Sequence, residues 1–292
     1  MSAYAETVPP GAELRRIARP GGDIAAWVKS GSGAPLLFVH GNTASKTAFR
    51  TLLAEPALKG RAWAAMDLPG AGESENAADP AAAYTIPAFA RAVGDTIAAL
   101  GLDRPVVMGW SLGGHIAIEA AGQGVPMRGL VITGTPPCGP GPAEMAESFN
   151  MEALGEVAIA ENPSREVLTE YIGGKVYGQS VPVPDELFEA GYRFDARART
   201  NFANHWLSAV EGHHARTVIA EWPHPIAVIQ GDLEPFLDPT LLDRLAWRNL
   251  WRGKSQWIPG TGHAPFFERP ADYAALLAAF LDDIEQGRLA PL

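Results

Sequence analysis

The chain is short of cysteine, of long apolar runs and of positive charge, and each shortage removes a class of function. One cysteine among 292 residues, Cys138, allows neither an internal disulfide nor a cysteine-rich metal site. A reduced, cytoplasmic setting is the expectation. No stretch reaches the roughly 18 uncharged apolar residues of a membrane-spanning helix. Residues 1–22, with Pro9, Pro10, Glu13, Arg15 and Arg16, show no apolar signal-peptide core. Lys and Arg number 23 against 33 Asp and Glu, and the net charge of −10 repels nucleic-acid backbones and anionic lipid. Neither nucleic acid nor membrane is therefore an expected partner, and small neutral molecules remain. H-E-x-x-H, a Cys/His quartet, G-x-x-x-x-G-K-[ST] and a post-strand G-x-G-x-x-G are all missing, so neither a metal nor a nucleotide cofactor is expected.

What the chain does have is a series of brief apolar runs: Pro35 to His40, Arg61 to Met66, Pro105 to Trp110, Arg128 to Thr133 and Pro225 to Gln230, with a weaker one at Ser255 to Ile258. Such runs fit strands buried on both faces, as in a parallel sheet. Between the second and third, Thr85 and Pro87 open a helical pattern carrying Ile86, Phe89, Val93, Ile97 and Leu100 on one side. Ala271 to Ile284 reads as a closing helix, and Glu13 to Lys29 as a leading hairpin turning at Gly21 and Gly22. Alternating strand and helix predicts an α/β fold with helices on both faces and a ligand crevice at the carboxyl ends of the strands. From Thr135 to about Trp222 the alternation stops, and this stretch is too long for a plain loop. The expected division is a core of residues 1–134 and 223–292 with a helical cap inserted over 135–222.

Gly109-Trp110-Ser111-Leu112-Gly113-Gly114 lies between an apolar strand and a helix start, the setting in which a G-x-S-x-G serine is lifted over the sheet edge as a nucleophile. His40-Gly41-Asn42 follows an earlier strand, so the backbone N–H groups of Asn42 and Leu112 are candidate oxyanion donors. A structural histidine in a simple turn is the alternative reading of that segment. His263, after the last strand signal, is the candidate base. The orienting carboxylate should lie between Ser111 and His263, where Gly231 to Phe236 offers Glu234; Asp232 and Asp238 stay as alternatives that equally suit turn or helix caps.

The order serine, acid, histidine and the mid-chain insertion resemble the alpha/beta-hydrolase superfamily along nearly the whole chain. A closer resemblance, carried by His40-Gly41-Asn42, Gly109 to His115, Met127 to Pro137, Pro225 to Phe236, Asn249 to Trp251 and Gly262 to Phe266, is to the metal-independent N-acylhomoserine lactonases of that fold. It implies a Ser-His-Glu triad with Glu234 as the acid, no cofactor, and Tyr171 as a residue touching the lactone. On this reading Asn42 and Tyr171 serve the polar head of the substrate, and Trp110, Phe236 and Phe266 its apolar tail. The same triad also serves carboxylesterases and carbon–carbon bond hydrolases, and a hydrolase-like pocket serves some ligand receptors.

Overall fold

The computed structural model describes residues 5–155, 157, 160–178, 180–208 and 212–289; residues 1–4 and 290–292 of the expected core and parts of 135–222 lie outside them. Eight strands form one sheet: β1 (Glu13–Ile17), β2 (Ile24–Lys29), β3 (Ser32–Val39), β4 (Arg61–Met66), β5 (Val106–Trp110), β6 (Gly129–Thr133), β7 (Ile226–Gly231) and β8 (Gln256–Ile258). Their spatial order is β1-β2-β4-β3-β5-β6-β7-β8. The leading hairpin pairs antiparallel through β2 to β4, and every pair from β4–β3 to β7–β8 is parallel. This is the mostly parallel α/β sheet the apolar runs predict.

Burial explains the pattern of those runs. Every residue of β5, β6 and β7 is buried, because helices cover both faces, whereas β1 at the edge is largely exposed. Successive residues of β3 feed opposite cores: Leu37 and Val39 pack with Val107, Ile132 and the helix face of Phe89, Val93 and Ile97. Leu36 and Phe38 pack on the other side with Met108, Val131, Leu277 and Phe280. The crossover helix Ile86–Ala99 starts where the Thr85 hydroxyl accepts from the Ala88 N–H. It ends where Leu102 N–H donates to Ile97 C=O and Gly101 N–H to Ala98 C=O, with Gly101 at φ +63°, the Schellman arrangement that frees the chain to enter β5.

Between β6 and β7 the chain forms helices, among them Pro142–Ser148, Arg165–Tyr171, Asp185–Arg193, Ala196–Ser208 and Ala215–Glu221, and adds no strand to the sheet among the described residues. Buried polar contacts fasten this segment to the loops at the sheet's carboxyl end. The Tyr84 hydroxyl donates to Asp195 Oδ2 at 2.6 Å, and Asp195 N–H to Gly70 C=O at 2.7 Å. On the far side Asn150 N–H donates to Phe236 C=O at 2.8 Å, pinning the segment beside the loop that follows β7.

Candidate active site

Ser111 occupies the turn between β5 and the helix Leu112–Gly122 with φ 55° and ψ −121°, a conformation that non-glycine residues adopt only when the surroundings impose it. The surroundings do so here. Ser111 N–H donates to Thr133 C=O at 2.8 Å, and the Thr135 hydroxyl donates to Ser111 C=O at 2.9 Å. A β-carbon on Gly113 would lie 2.1 Å from the Val39 carbonyl oxygen, so only glycine lets the helix start this close to β3. The seryl side chain is thereby held at the sheet's carboxyl rim.

Leu112 opens its helix, so its N–H is one of the first-turn donors without an intrahelical acceptor, and it lies at the positive end of the helix dipole. The loop His40–Asn42 passes directly beside the serine: a β-carbon on Gly41 would come within 3.0 Å of Ser111 Cβ. His40 anchors that loop. Its Nδ1–H donates to Gly41 C=O at 2.8 Å, and its Nε2 accepts from Leu68 N–H at 3.0 Å, a pairing that fixes one neutral tautomer. Burial pulls its pKa down to about 4, against the pull of the Gly41 hydrogen bond. His40 is thus structural while the residue two further on faces the site.

His263 and Glu234 form a buried pair. His263 Nδ1 lies 2.7 Å from Glu234 Oε2 and 2.9 Å from Oε1, which directs the N–H at the carboxylate and leaves Nε2 for other work. Glu234 Oε1 also accepts from Phe236 N–H at 2.9 Å. The imidazole edge faces the end of β6, next to the strand that carries Ser111: a β-carbon on Gly134 would meet His263 Cε1 at 2.5 Å. Asp232 and Asp238 are engaged elsewhere, Asp232 accepting from Gly260 N–H at 2.6 Å and Asp238 capping the helix Pro239–Arg244 through Thr240 N–H at 2.9 Å.

The three aromatics expected to line an acyl tunnel stand in a different place. Trp110, Phe236 and Phe266 are buried and lie outside the lining of the cavity at Ser111. Phe236 meets the His263 ring edge-on at 4.6 Å, Trp110 lies 5.6 Å from it, and Trp110 Nε1–H donates to His263 C=O at 2.9 Å. Phe266 packs at 5.1 Å behind Trp110. Their bulk backs the histidine: Trp110, the last residue of β5 and the one before Ser111, turns its side chain away from the cavity.

The space beside Ser111, about 520 Å³ including a part open to solvent, has Asn42, Ser111, Leu112 and Tyr171 among its lining residues. Its apolar walls come from the inserted helical segment: Met145, Phe149, Leu154, Phe202, Ala203 and Trp206. Burial, with Glu234 nearby, raises the Tyr171 pKa, so its hydroxyl stays protonated and available for hydrogen bonding.

Two supports escape a reading of the sequence. Glu268 accepts from Gly262 N–H at 2.7 Å and from the Ser180 hydroxyl at 2.5 Å, holding the loop just before His263. Lys46 is fully buried and its ammonium donates to Glu6, Asp67 and Glu73 at 2.5, 2.6 and 2.9 Å, tying the loop after β3 to the loop after β4. These carboxylates are the one acidic group among the described residues close enough together for a metal ion, and the lysine ammonium already bonds all three.

Known proteins share this fold. A mutant of the N-acyl homoserine lactonase AidH complexed with N-hexanoyl homoserine lactone is 36% identical, with 94% of this chain and 99% of that one covered at a TM-score of 0.87. AidH complexed with N-butanoyl homoserine gives 36% identity, 94% and 98% coverage and a TM-score of 0.88. The esterase RhEst1 from Rhodococcus sp. ECU1013 shares the fold at 19% identity and a TM-score of 0.71, with 94% of this chain and 99% of that chain covered. An uncharacterized protein of Mycobacterium tuberculosis is 23% identical, covering 96% of this chain and 84% of its own length. The model of the alpha/beta hydrolase family matches residues 36–276, across the strained serine turn, the inserted helices and the His263 loop, and the chain belongs to that family.

Proposed function

We propose that this hydrolase opens the lactone ring of N-acylhomoserine lactones with Ser111 as nucleophile, His263 as general base and acid, and Glu234 as the carboxylate that orients the imidazole. Residues 135–222 act as its cap. His263 Nε2 takes the Ser111 hydroxyl proton as Oγ bonds to the lactone carbonyl carbon, and the negative oxygen is received by the Asn42 and Leu112 N–H groups. The ring C–O bond then breaks, and its oxygen takes the proton from His263. Because the leaving alcohol is part of the same molecule, it stays tethered to the acyl-enzyme. Water, deprotonated by His263, next attacks the ester carbon and releases Ser111 and the N-acylhomoserine carboxylate. Throughout, Glu234 stabilises the imidazolium without itself accepting a proton.

The observation that carries this reading is a strained serine at the same sheet rim as a carboxylate-paired histidine, together with a cavity lined by Asn42, Ser111 and Tyr171 and otherwise mainly by apolar side chains. A homoserine lactone head on a hydrocarbon tail has the same division. The similarity to a lactonase complexed with N-hexanoyl homoserine lactone supports the substrate class. Ring opening releases a proton, so a pH-stat compares N-hexanoyl homoserine lactone with an aryl hexanoate directly. Lactone turnover that vanishes in Ser111→Ala is expected. Fast ester cleavage with negligible lactone opening would assign an esterase on the same triad, and a biological effect that survives Ser111→Ala would assign a receptor.

A further inference from the structure

One polar side chain among the apolar lining of the cavity has no use in the mechanism above. His115 lies four residues after Ser111 on the helix Leu112–Gly122 and lines the same cavity, yet it is only 5% exposed. Its Nε2 is buried and has no hydrogen-bonding partner among the described residues. The ring is held in orientation by Trp206, edge-on at 4.5 Å, and by Phe149 at 5.9 Å. A buried polar atom left bare costs free energy, and a leucine would fill the same space without that cost.

Ser111 caps the helix that carries His115, and His115 N–H reaches back to Ser111 C=O at 3.4 Å, so the two residues stand about one helical turn, roughly 5.4 Å, apart beside one cavity. Counting along a bound N-acylhomoserine lactone from the carbon that Ser111 attacks, the path runs through the ring carbon, the amide nitrogen and the first two acyl carbons to the third. That is five covalent bonds, or about 6 Å when extended. The amide carbonyl falls nearer the serine, toward Asn42 and Tyr171. We infer that His115 is a specificity-determining residue that hydrogen-bonds an oxygen on the third carbon of the acyl chain, so that the preferred substrates are 3-oxygenated acyl lactones. This rests on the lactonase reading. Burial pulls the His115 pKa down to about 3, so the ring is neutral near pH 7 and presents one N–H and one lone pair. A 3-hydroxyl group can complement either.

The test compares kcat/KM for N-(3-hydroxyhexanoyl) and N-hexanoyl homoserine lactone in the wild type, His115→Leu and His115→Gln. The wild type should favour the hydroxylated chain about tenfold, the worth of one neutral hydrogen bond in a dry site. His115→Leu should bring the ratio close to one, and His115→Gln should restore part of it. An equal ratio in wild type and His115→Leu overturns the inference while leaving the lactonase reading intact, whereas failure of the wild type to open either lactone overturns both. A second readout needs no substitution: the ¹⁵N resonance of His115 Nε2 in the intact protein should move on adding the ring-opened 3-hydroxyhexanoyl product and not on adding its hexanoyl counterpart. Identical spectra with the two products overturn the inference.

Discussion

The sheet's carboxyl rim and the helical segment above it face one cavity, but they are held in different ways. At the rim, polar groups are fixed by other polar groups: Ser111 by Thr133 and Thr135, His40 by Gly41 and Leu68, His263 by Glu234, and the loop before His263 by Glu268. On the cap side, the walls are Met145, Phe149, Leu154, Phe202 and Trp206, placed by apolar packing. Directional bonds fix atoms to fractions of an ångström, whereas apolar contacts tolerate changes of shape at modest cost. On the proposed reading the rim sets which bond is broken, and the inserted helices set which chain is accepted.

Substitutions at the two regions should differ in kind as well as in size. The largest effect is expected for Ser111→Ala, with kcat reduced about 10⁶-fold and the thermal midpoint retained. Next comes Glu234→Gln, which keeps the shape but offers His263 Nδ1 a poorer partner and should lower kcat about 10⁴-fold. Asp232→Asn, in the same loop, serves as the control and should leave kcat little changed, because Asp232 only closes a turn with Gly260.

The buried charges beneath the rim sharpen the comparison through stability. Lys46→Met leaves Glu6, Asp67 and Glu73 together without their cation and should cost about 3–5 kcal/mol, measured by denaturant unfolding. Burial raises the Asp67 pKa from 3.8 to about 7, with Lys46 opposing the shift and Glu6 adding to it. The folded state then holds a proton that the unfolded state releases, so this contribution is full below about pH 4 and is lost as the pH rises through about 7. The wild type should lose stability between pH 5 and pH 8, and Glu6→Gln, which removes the carboxylate that adds to the Asp67 shift, should lose less.

The smallest effect is expected in the cap. Phe149→Ala should lower kcat/KM for N-hexanoyl homoserine lactone about tenfold through KM, while a longer acyl chain that refills the space loses less. A loss confined to kcat would show that the cap takes part in the chemistry, against the division drawn here.

The same division explains what the sequence made legible. The strands of the parallel sheet stand out because burial on both faces leaves unbroken apolar runs, as in Val106 to Trp110 and Ile226 to Gly231. Ser111, His263 and Glu234 are legible as candidates because rim chemistry demands particular residue types at strand ends, and of these the structure pairs His263 with Glu234. Apolar identity carries no such direction. Trp110, Phe236 and Phe266 are large and near the motifs, but nothing in their spacing separates a cavity wall from a backing for the imidazole, and they back it. The cap's wall residues sit on short helices whose apolar faces serve packing and cavity alike. The cluster joins Lys46 to Glu6, 40 positions away, and to Asp67 and Glu73, which local pattern does not register.

Intact-mass spectrometry after rapid quenching of Glu234→Gln with N-hexanoyl homoserine lactone tests the central claim most directly. An acyclic ester adds only its acyl part to a serine enzyme, but a lactone keeps its alcohol attached. The account predicts an adduct equal to the whole mass of the lactone, located on the peptide containing Ser111. Product formation with no adduct on Ser111, or with the adduct on another residue, would contradict it.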